Sequence, residues 1–253
     1  MLFTAVPMLA QLASPNSAGV AMGHLHLTTT DPEASRKFWI DFLGGQPMKF
    51  ANTEAYRFPG VIVMVRKGNV SGGTEGTAVN HLGFKVKDRN AYLEKCEKMG
   101  FKILRRLEDT KQAFILGPDE LKVELTEDAS MSAPIEHHHI HFFNQHYLET
   151  QAWYAKMFDA KPGKRGKFDA ADLPGVNLSF SQSETPVKPT KGTSMDHIGF
   201  EIKNLEAFVK KLESQGVKMD VPYRSVPSIK LSIAFFTDPW GTYVELTEGL
   251  NNY

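Results

Sequence analysis

Histidine recurs at the start of four similar segments of this 253-residue chain. The segments begin at His24, His81, His139 and His197, so successive first histidines lie 57, 58 and 58 residues apart. Imidazole binds transition-metal ions through its ring nitrogens and titrates close to neutral pH. Because chance rarely puts a histidine at one place in four repeats, the spacing predicts metal binding by these side chains.

A glutamate closes the second and fourth segments, within a five-residue sequence (VELTE) that occurs twice. Glu124 and Glu245 alternate with apolar neighbours, which places each carboxylate on the strand face opposite to those neighbours. Two imidazoles and one carboxylate on one cavity form a facial triad, which suits a six-coordinate divalent ion with open positions for substrate and water. The predicted sets of metal ligands are His24, His81 and Glu124, and His139, His197 and Glu245.

Two further histidines follow the first ligand of a set by two residues. His26 and His141 should therefore share a strand face with that ligand, where we expect them to touch substrate or to act as acid or base. Strict alternation also places His137 on the face of His139 and leaves His138 on the opposite face. The third segment is therefore predicted to offer more histidines to a site than the first.

A Pro-Gly-Val turn in the first and third segments is followed by residues of different polarity. The third segment can present Asn177 and Ser179 on one strand face, where the first segment has Ile62 and Met64. A working site needs polar groups around its metal in addition to the ligands. The polar pair therefore favours the set that contains His139. The side chains expected to contact substrate are Asn177, Ser179, Tyr56, Arg57 and Tyr223.

Each opening histidine lies in a segment with the pattern of a strand, a helix and three strands. Apolar residues alternate after the histidine, and three of the four helical stretches run into glycine, which supplies a left-handed cap. Between residues 81–100 and 197–216, eight of twenty aligned positions are identical. One βαβββ unit exposes an apolar sheet face that it cannot cover alone. The sequence thus predicts an α+β fold, in which four βαβββ units form two tandem modules with cup-shaped mixed sheets.

The repeats and one polar stretch suggest the domain limits. Residues 20–128 are expected to form the first module and residues 137–253 the second, joined by the linker 129–136, which contains proline and lacks periodicity. Residues 1–19 carry no charged side chain. They fit either an apolar arm packed on the domain or the remnant of a secretory signal without its basic start. Residues 1–19 are therefore compatible with a cytoplasmic protein and with an exported one.

Charge and cysteine content exclude several classes of function. Twenty-nine Lys and Arg residues balance twenty-nine Asp and Glu residues, so nucleic acid and anionic membranes are not expected partners. Cys96, the single cysteine, cannot form an intrachain disulfide or a cysteine-cluster metal site. No uninterrupted apolar stretch of about 18 residues predicts a transmembrane span. The expected partner is a small-molecule substrate, and a homo-oligomer stays open.

Two stretches carry a resemblance to a known family. Residues 31–44 (DPEASRKFWIDFLG) look like its first helix, and residues 236–245 (FTDPWGTYVE) look like its closing hairpin and metal-ligand strand. The family is the vicinal oxygen chelate superfamily, also called the glyoxalase, bleomycin resistance and dioxygenase superfamily. The resemblance covers about residues 20–250 and implies a divalent metal ion at the two ligand sets. The resemblance to three-ligand members favours Fe(II) or Mn(II) as the bound ion, and Zn(II) and Ni(II) are the alternatives.

Departures from the branches of this family narrow the chemistry. Members that resemble glyoxalase I use a fourth ligand, Glu or Gln, where this chain has residues 63–65 (VMV) and 178–180 (LSF). Members that cleave catechols have a histidine and a tyrosine that residues 178–196 and 232–236 lack.

Two classes of function stay open. One is a metal-dependent enzyme for a small vicinally oxygenated substrate, either a dioxygenase-like oxidoreductase or a glyoxalase-like lyase or isomerase. The other is a metal-silent binding protein of the bleomycin-resistance type.

Overall fold

The structure is a computed structural model that describes residues 12–50 and 53–253. In this part of the chain, each of four units forms a strand, a helix and three strands, as the repeats predict. The strands of the first two units are β1 (Val20–Thr29), β2 (Gln46–Phe50), β3 (Thr53–Phe58), β4 (Val61–Lys67), β5 (Val79–Val86), β6 (Lys102–Leu107), β7 (Gln112–Leu116) and β8 (Lys122–Glu127). The strands of the third and fourth units are β9 (Ile135–Asn144), β10 (Lys161–Arg165), β11 (Phe168–Leu173), β12 (Val176–Gln182), β13 (Met195–Ile202), β14 (Met219–Val226), β15 (Leu231–Thr237) and β16 (Tyr243–Glu248).

One helix follows the opening strand of each unit. The helices are α1 (Pro32–Arg36, continued as a π-helix by Lys37–Phe42), α2 (Arg89–Met99), α3 (Tyr147–Phe158) and α4 (Leu205–Ser214). Asp31 caps α1 by accepting two backbone N–H groups of its first turn, and Gly100 ends α2 with a φ of +77°. His146 stands before α3 without capping it through the side chain, and its Nδ1 lies 3.2 Å from a carboxylate oxygen of Glu149 instead.

The strands of the described residues form two mixed eight-stranded sheets. One sheet has the order β14-β15-β16-β13-β1-β4-β3-β2 and contains the first and fourth units, which we call the first cup. The other has the order β10-β11-β12-β9-β5-β8-β7-β6 and contains the second and third units, which we call the second cup. The two opening strands of each cup run antiparallel at its centre, with Leu25 opposite Ile198 in the first cup and Leu82 opposite Ile140 in the second. The α+β prediction is confirmed.

Each cup combines one unit from each half of the chain. The prediction that each half assembles its own set of metal ligands was therefore wrong. The short linker gives the physical reason. Strand β9 already opens at Ile135, inside the predicted linker, and Ile135 pairs with Val86 at the end of β5, while the N–H of Lys87 donates to the carbonyl of Pro134 at 3.0 Å. A connection this short holds the third unit beside the second.

Two apolar clusters organise the described residues. The main cluster lies on the helix side of both sheets, where Trp39 packs on Phe84 and Phe158 packs on Phe200 with ring centroids 6.0 and 5.0 Å apart. The second cluster belongs to the first cup and consists of Leu12, Phe50, Ala55, Ile62, Met64, Leu231, Ile233 and Leu250. Burial of such side chains drives the folding of the sheets and leaves polar groups only at selected strand positions.

Residues 12–19 run against the rest of the molecule before β1 begins. Leu12 is buried in the second cluster, and the Nδ2 of Asn16 donates to the carbonyl of Phe158 at 2.9 Å. The choice between an arm and a signal concerns residues 1–19, of which residues 1–11 lie outside the described part of the chain. Within the described residues, no helix combines the length and the apolar character that crossing a membrane requires.

Candidate metal centres

The first cup brings three histidines and a glutamate together at its middle. His24, His26, His197 and Glu245 each offer a ligand atom, and these atoms lie within 4.8 Å of one another. The Oε2 of Glu245 lies 2.9 Å from the Nε2 of His24 and 2.9 Å from the Nε2 of His197. We call this group the first centre.

The second cup holds a matching group, the second centre, which consists of His81, Glu124, His139 and His141. All four side chains are buried. The Oε2 of Glu124 lies 3.0 Å from the Nε2 of His81 and 3.4 Å from the Nε2 of His139. The two centres thus contain all six residues proposed as ligands and both histidines proposed as acid or base. Each centre, however, combines ligands from both of the predicted sets.

Three adjacent strands build each centre. In the second cup, β9 pairs with β5 so that His141 lies opposite His81, and His139 lies opposite Gly83. On the other side of β5, Glu124 of β8 lies beside Gly83. The four residues of the second centre therefore occupy one patch of the sheet. The first cup repeats this arrangement with β1, β13 and β16.

Glycine is required where a ligand histidine crosses the neighbouring strand. A Cβ atom on Gly83 would lie 1.9 Å from the Cε1 of His139, and one on Gly199 would lie 2.0 Å from the Cε1 of His24. Any side chain at either position would overlap the imidazole ring and displace it. We did not assign this role from the sequence, although the pattern His-x-Gly in the second and fourth opening strands marks it.

A β-bulge decides which face of β9 its histidines occupy. The register shifts between the pairs Gly83–His139 and Phe84–His137, so His138 is an extra residue on its strand. His138 consequently lies beside His139, with 3.0 Å between the two Nδ1 atoms, and His137 packs its ring against Phe84. The prediction from strict alternation was therefore wrong for His137 and His138.

Burial controls the charge of the second centre. Loss of solvation lowers the pKa of His139 to about 3 and also lowers the pKa values of His81 and His141. Burial alone would raise the pKa of Glu124, but the adjacent imidazoles of His139 and His81 outweigh it and hold that pKa well below its usual value. The centre thus offers neutral imidazoles and one carboxylate, the forms that bind metal.

The hydrogen bond of His81 turns a lone pair toward the carboxylate. The Nδ1 of His81 lies 2.9 Å from the Oδ1 of Asn80, which can only accept, so the neutral ring carries its proton on Nδ1. The Nε2 lone pair then faces the Oε2 of Glu124 at 3.0 Å. Two acceptors at this distance repel unless a proton or a cation lies between them. The Nε2 of His139 also has no hydrogen-bond partner among the described residues, so the group fits a divalent ion.

The first centre has a second carboxylate behind one of its ligands. The Oδ1 of Asp196 accepts a hydrogen bond from the Nδ1 of His197 at 2.7 Å, where the second centre has an asparagine. Burial lowers the pKa of His197, but the bonds to Asp196 and Glu245 outweigh it and raise that pKa. In the described chain, the Nδ1 of His24 and the Nε2 of His26 are buried without a hydrogen-bond partner. This donor set also fits a divalent ion.

The wall of the first cup is apolar beside its centre. Ile62 and Met64 on β4 lie next to the two histidines of β1, and both belong to the second apolar cluster. Arg57, a proposed substrate contact, lies on β3 and donates from Nη2 to the backbone oxygen of Tyr253 at 2.5 Å. Apolar side chains therefore line this side of the first cup.

The wall of the second cup is polar beside its centre. Asn177 and Ser179, two of the predicted substrate contacts, lie on β12 next to His139 and His141. The hydroxyl of Ser179 donates to the Oδ1 of Asn177 and accepts from the Nε of Arg165, both at 2.7 Å. Asn177 and Arg165 also line a cavity of about 530 Å³. We did not assign Arg165 from the sequence, because nothing in the repeats distinguishes it from other basic residues.

The remaining two proposed substrate contacts lie away from both centres. Tyr56 is fully buried in the main apolar cluster and pairs across the sheet with Val63 of the same cluster. Tyr223 is partly buried against that cluster, with its hydroxyl 3.4 Å from the hydroxyl of Ser232. Alternation along the strand turns these rings toward the helix side rather than into a cup.

Comparisons with known proteins agree with this architecture. A family model described as the Glyoxalase/Bleomycin resistance protein/Dioxygenase superfamily matches residues 21–125 and 136–246. No curated protein matches the sequence. Among solved structures, glyoxalase I from Zea mays superposes with a TM-score of 0.73 at 18% identity, over 92% of this chain and 94% of that chain. A Bacillus subtilis protein described as a candidate dioxygenase superposes with a TM-score of 0.69 at 14% identity, over 94% and 86% of the chains. Likeness at this level of identity shows the fold alone.

Proposed function

The chain belongs to the glyoxalase/bleomycin resistance protein/dioxygenase superfamily, and we propose that it is a divalent-metal-dependent enzyme for a small, vicinally oxygenated substrate. The second centre is the proposed working site. His81, His139 and Glu124 are its proposed ligands, and His141 is its proposed acid or base. One observation carries the proposal: two acceptor atoms, the Nε2 of His81 and the Oε2 of Glu124, are held 3.0 Å apart inside the protein.

A bound divalent ion would supply charge stabilisation for two neighbouring substrate oxygens. The protein places His141 beside that position, where its Nδ1 lies 3.2 Å from the Nε2 of His81. The Nε2 of His141 lies 2.8 Å from the hydroxyl of Ser181, which orients the ring. Burial lowers the pKa of His141 and keeps the ring neutral, which is the form in which one ring nitrogen can accept a proton.

The bound ion distinguishes two reaction classes. Fe(II) or Mn(II) would support a dioxygenase-like oxidoreductase, whereas Zn(II) or Ni(II) would restrict the centre to the proton transfer of a glyoxalase-like lyase or isomerase. We favour the first class, because a set of two histidines and one carboxylate suits non-haem iron. The neighbouring strand does not add a carboxylate, since Ser179 lies opposite His141 on β12. Turnover restored by each ion in turn decides between the classes.

Metal uptake tests the proposal. Chelator-treated wild-type protein should regain one or two equivalents of Fe(II) or Mn(II), measured by elemental analysis after gel filtration. The double variant Glu124→Gln/His139→Ala should lose the equivalent held by the second centre, because two of its three ligands are removed. The matched control is His146→Ala, which removes an exposed histidine outside both centres and should bind as much metal as the wild type. Equal uptake by the double variant and the wild type would exclude the second centre.

A metal-silent binding protein is the second candidate function. The observation in its favour is the apolar wall of the first cup, where Ile62 and Met64 lie beside the histidines of β1. Such a protein would keep its affinity for a small molecule after complete removal of metal. Failure of the wild type to take up Fe(II), Mn(II), Zn(II) or Ni(II) would leave this candidate in place of the enzyme.

A further inference from the structure

Arg165 lies between the second centre and a cavity that residues of both cups line. Its side chain is only 14% exposed. The Nη2 of Arg165 lies 3.4 Å from the Nδ1 of His141, and its Nη1 lies 3.6 Å from the Oε1 of Glu124. The same side chain lines the cavity of about 530 Å³, together with His138 and Asn177. The guanidinium therefore extends from the wall of this cavity to two residues of the centre, His141 and Glu124.

A chain of hydrogen bonds holds Arg165 in this position. Its Nε donates to the hydroxyl of Ser179, and that hydroxyl donates to the Oδ1 of Asn177. The Nδ2 of Asn177 in turn donates to the Oδ1 of Asp172 at 2.7 Å. The ring of Phe168 supports the guanidinium from 5.4 Å. These contacts occupy Nε and leave both Nη groups at the centre.

The second cup has an arginine at this position, but the first cup does not have one at the matching position. The strands β2 and β10 align through Pro47 and Pro162, so that Phe50 of the first cup matches Arg165 of the second. Phe50 is buried in the second apolar cluster. One cup therefore has an apolar ring where the other has a buried cation.

With a divalent ion in the second centre, the positive charge of Arg165 would lack a compensating negative charge. Glu124 is the one carboxylate among the four residues of the centre, and it would offset only half of the charge of the ion. Buried charges are costly unless they are compensated by an opposite charge. A carboxylate of the substrate would provide that charge, and it accepts two parallel hydrogen bonds from a guanidinium.

We propose that Arg165 binds the carboxylate of the substrate. The substrate class is then a small carboxylic acid with an oxygen on the neighbouring carbon, such as a 2-oxo acid or a 2-hydroxy acid. This inference rests on the proposed function, because the neighbouring oxygen is the one that a metal in the second centre would bind. Asn177 and Ser179 become positioning residues, which act through Arg165.

Binding of oxalate to the Mn(II)-loaded full chain tests this inference. The affinity for Mn(II) and the affinity for oxalate are measured separately by calorimetry in the wild type, in Arg165→Met and in Arg165→Lys. We expect oxalate affinity to fall on the order of 30-fold in Arg165→Met, because a buried charge pair is lost. We expect a smaller loss of oxalate affinity in Arg165→Lys, because lysine keeps the positive charge but lacks the paired N–H donors of the guanidinium. Mn(II) affinity should stay within about threefold, because Arg165 is not a ligand.

The matched control is Phe50→Met, which changes the corresponding residue of the first cup and should leave oxalate affinity unchanged. Oxalate affinity that is equal in the wild type and in Arg165→Met would overturn the inference while leaving the proposed function intact. Inorganic phosphate that binds more tightly than oxalate, and only when Arg165 is present, would overturn the assignment of a carboxylate. Loss of Mn(II) binding in Glu124→Gln/His139→Ala is measured independently. If the wild type takes up none of Fe(II), Mn(II), Zn(II) and Ni(II), the proposed function fails and this inference fails with it; if it takes up one of these ions but not Mn(II), oxalate binding is measured with that ion.

Discussion

The two centres differ in the residue that supports one ligand histidine. Asn80 accepts from the Nδ1 of His81 in the second centre, and Asp196 accepts from the Nδ1 of His197 in the first. An amide oxygen orients the ring and leaves it neutral, whereas a carboxylate also favours the charged imidazolium. Without metal, the first centre therefore holds a proton more tightly than the second.

This difference predicts a pH-dependent stability for the metal-free protein. Burial raises the pKa of Asp196, but the hydrogen bond from His197 outweighs it and brings that pKa to about 2. The pKa of His197 is raised, so its contribution is fully present below the unfolded histidine value and is lost as pH rises through the folded value. Asp196→Asn should therefore lower the free energy of unfolding by roughly 1–3 kcal/mol between about pH 4 and 6.5, with a smaller loss at higher pH.

Urea unfolding of chelator-treated protein measures this change at pH 5.5 and at pH 9, which lie about one unit below and well above the ordinary pKa of histidine. The matched control is Glu149→Gln, which removes the carboxylate beside the exposed His146 and should change stability little at either pH. A loss in Asp196→Asn that is the same at both pH values would show that the pair stabilises the protein without a charged imidazole.

At the scale of strands, each centre depends on a close approach between two neighbours. The imidazole of His139 lies over Gly83 of β5, and the imidazole of His24 lies over Gly199 of β13. Both contacts exist because the opening strands pair antiparallel, with these residues directly opposite each other. The glycines position the ligands without touching a metal themselves.

Gly83→Ala should therefore weaken metal binding at the second centre. The added Cβ would lie 1.9 Å from the ring of His139, so that the ring must move and its nitrogen leaves the ligand position. We expect metal affinity to fall about 10- to 100-fold, by analogy with other changes that misplace a ligand. Metal titration of the chelator-treated variant measures the effect.

Gly163→Ala is the matched control for this change. Gly163 also lies in a strand of the second cup, but a Cβ there would meet no atom within 4 Å. This variant should bind metal as the wild type does. Unchanged metal affinity in Gly83→Ala would mean that His139 is not a ligand.

At the scale of the whole molecule, the two halves of the chain share both cups. The pairing of β1 with β13 joins the halves in the first cup, and the pairing of β5 with β9 joins them in the second. Each centre takes histidines from both halves, as His24 and His197 do in the first and His81 and His139 do in the second. Neither half contains a complete centre in this arrangement.

Cleavage of the linker should therefore leave the molecule assembled. A protease site inserted between Ala129 and Ser130, which are both exposed, cuts the chain between the two halves. We expect the two fragments to elute together in size-exclusion chromatography and to keep the metal content of the uncut protein, because sheet pairing rather than the linker holds them. If the fragments separate and each retains metal, the ligands of each metal ion must come from one half of the chain, as the sequence alone predicts.

The sequence by itself determined the repeating unit and the residues that form the centres. Strand alternation after four almost equally spaced histidines indicated the βαβββ units, and the repeated VELTE identified Glu124 and Glu245. These signals are local, because side-chain type and short-range periodicity establish which face of a strand is apolar. For the same reason, Asn177 and Ser179 could be placed beside a histidine strand before the sheet was known.

Only the tertiary structure decided which histidines meet and what surrounds them. Pairing between β5 and β9 is a long-range choice that periodicity does not encode, so His81 was assigned to the wrong partners. A bulge of one residue moved His138 onto the face of His139, because an inserted residue reverses alternation beyond it. Arg165 reaches the second centre through hydrogen bonds between separate strands, a relation that exists only after the chain has folded.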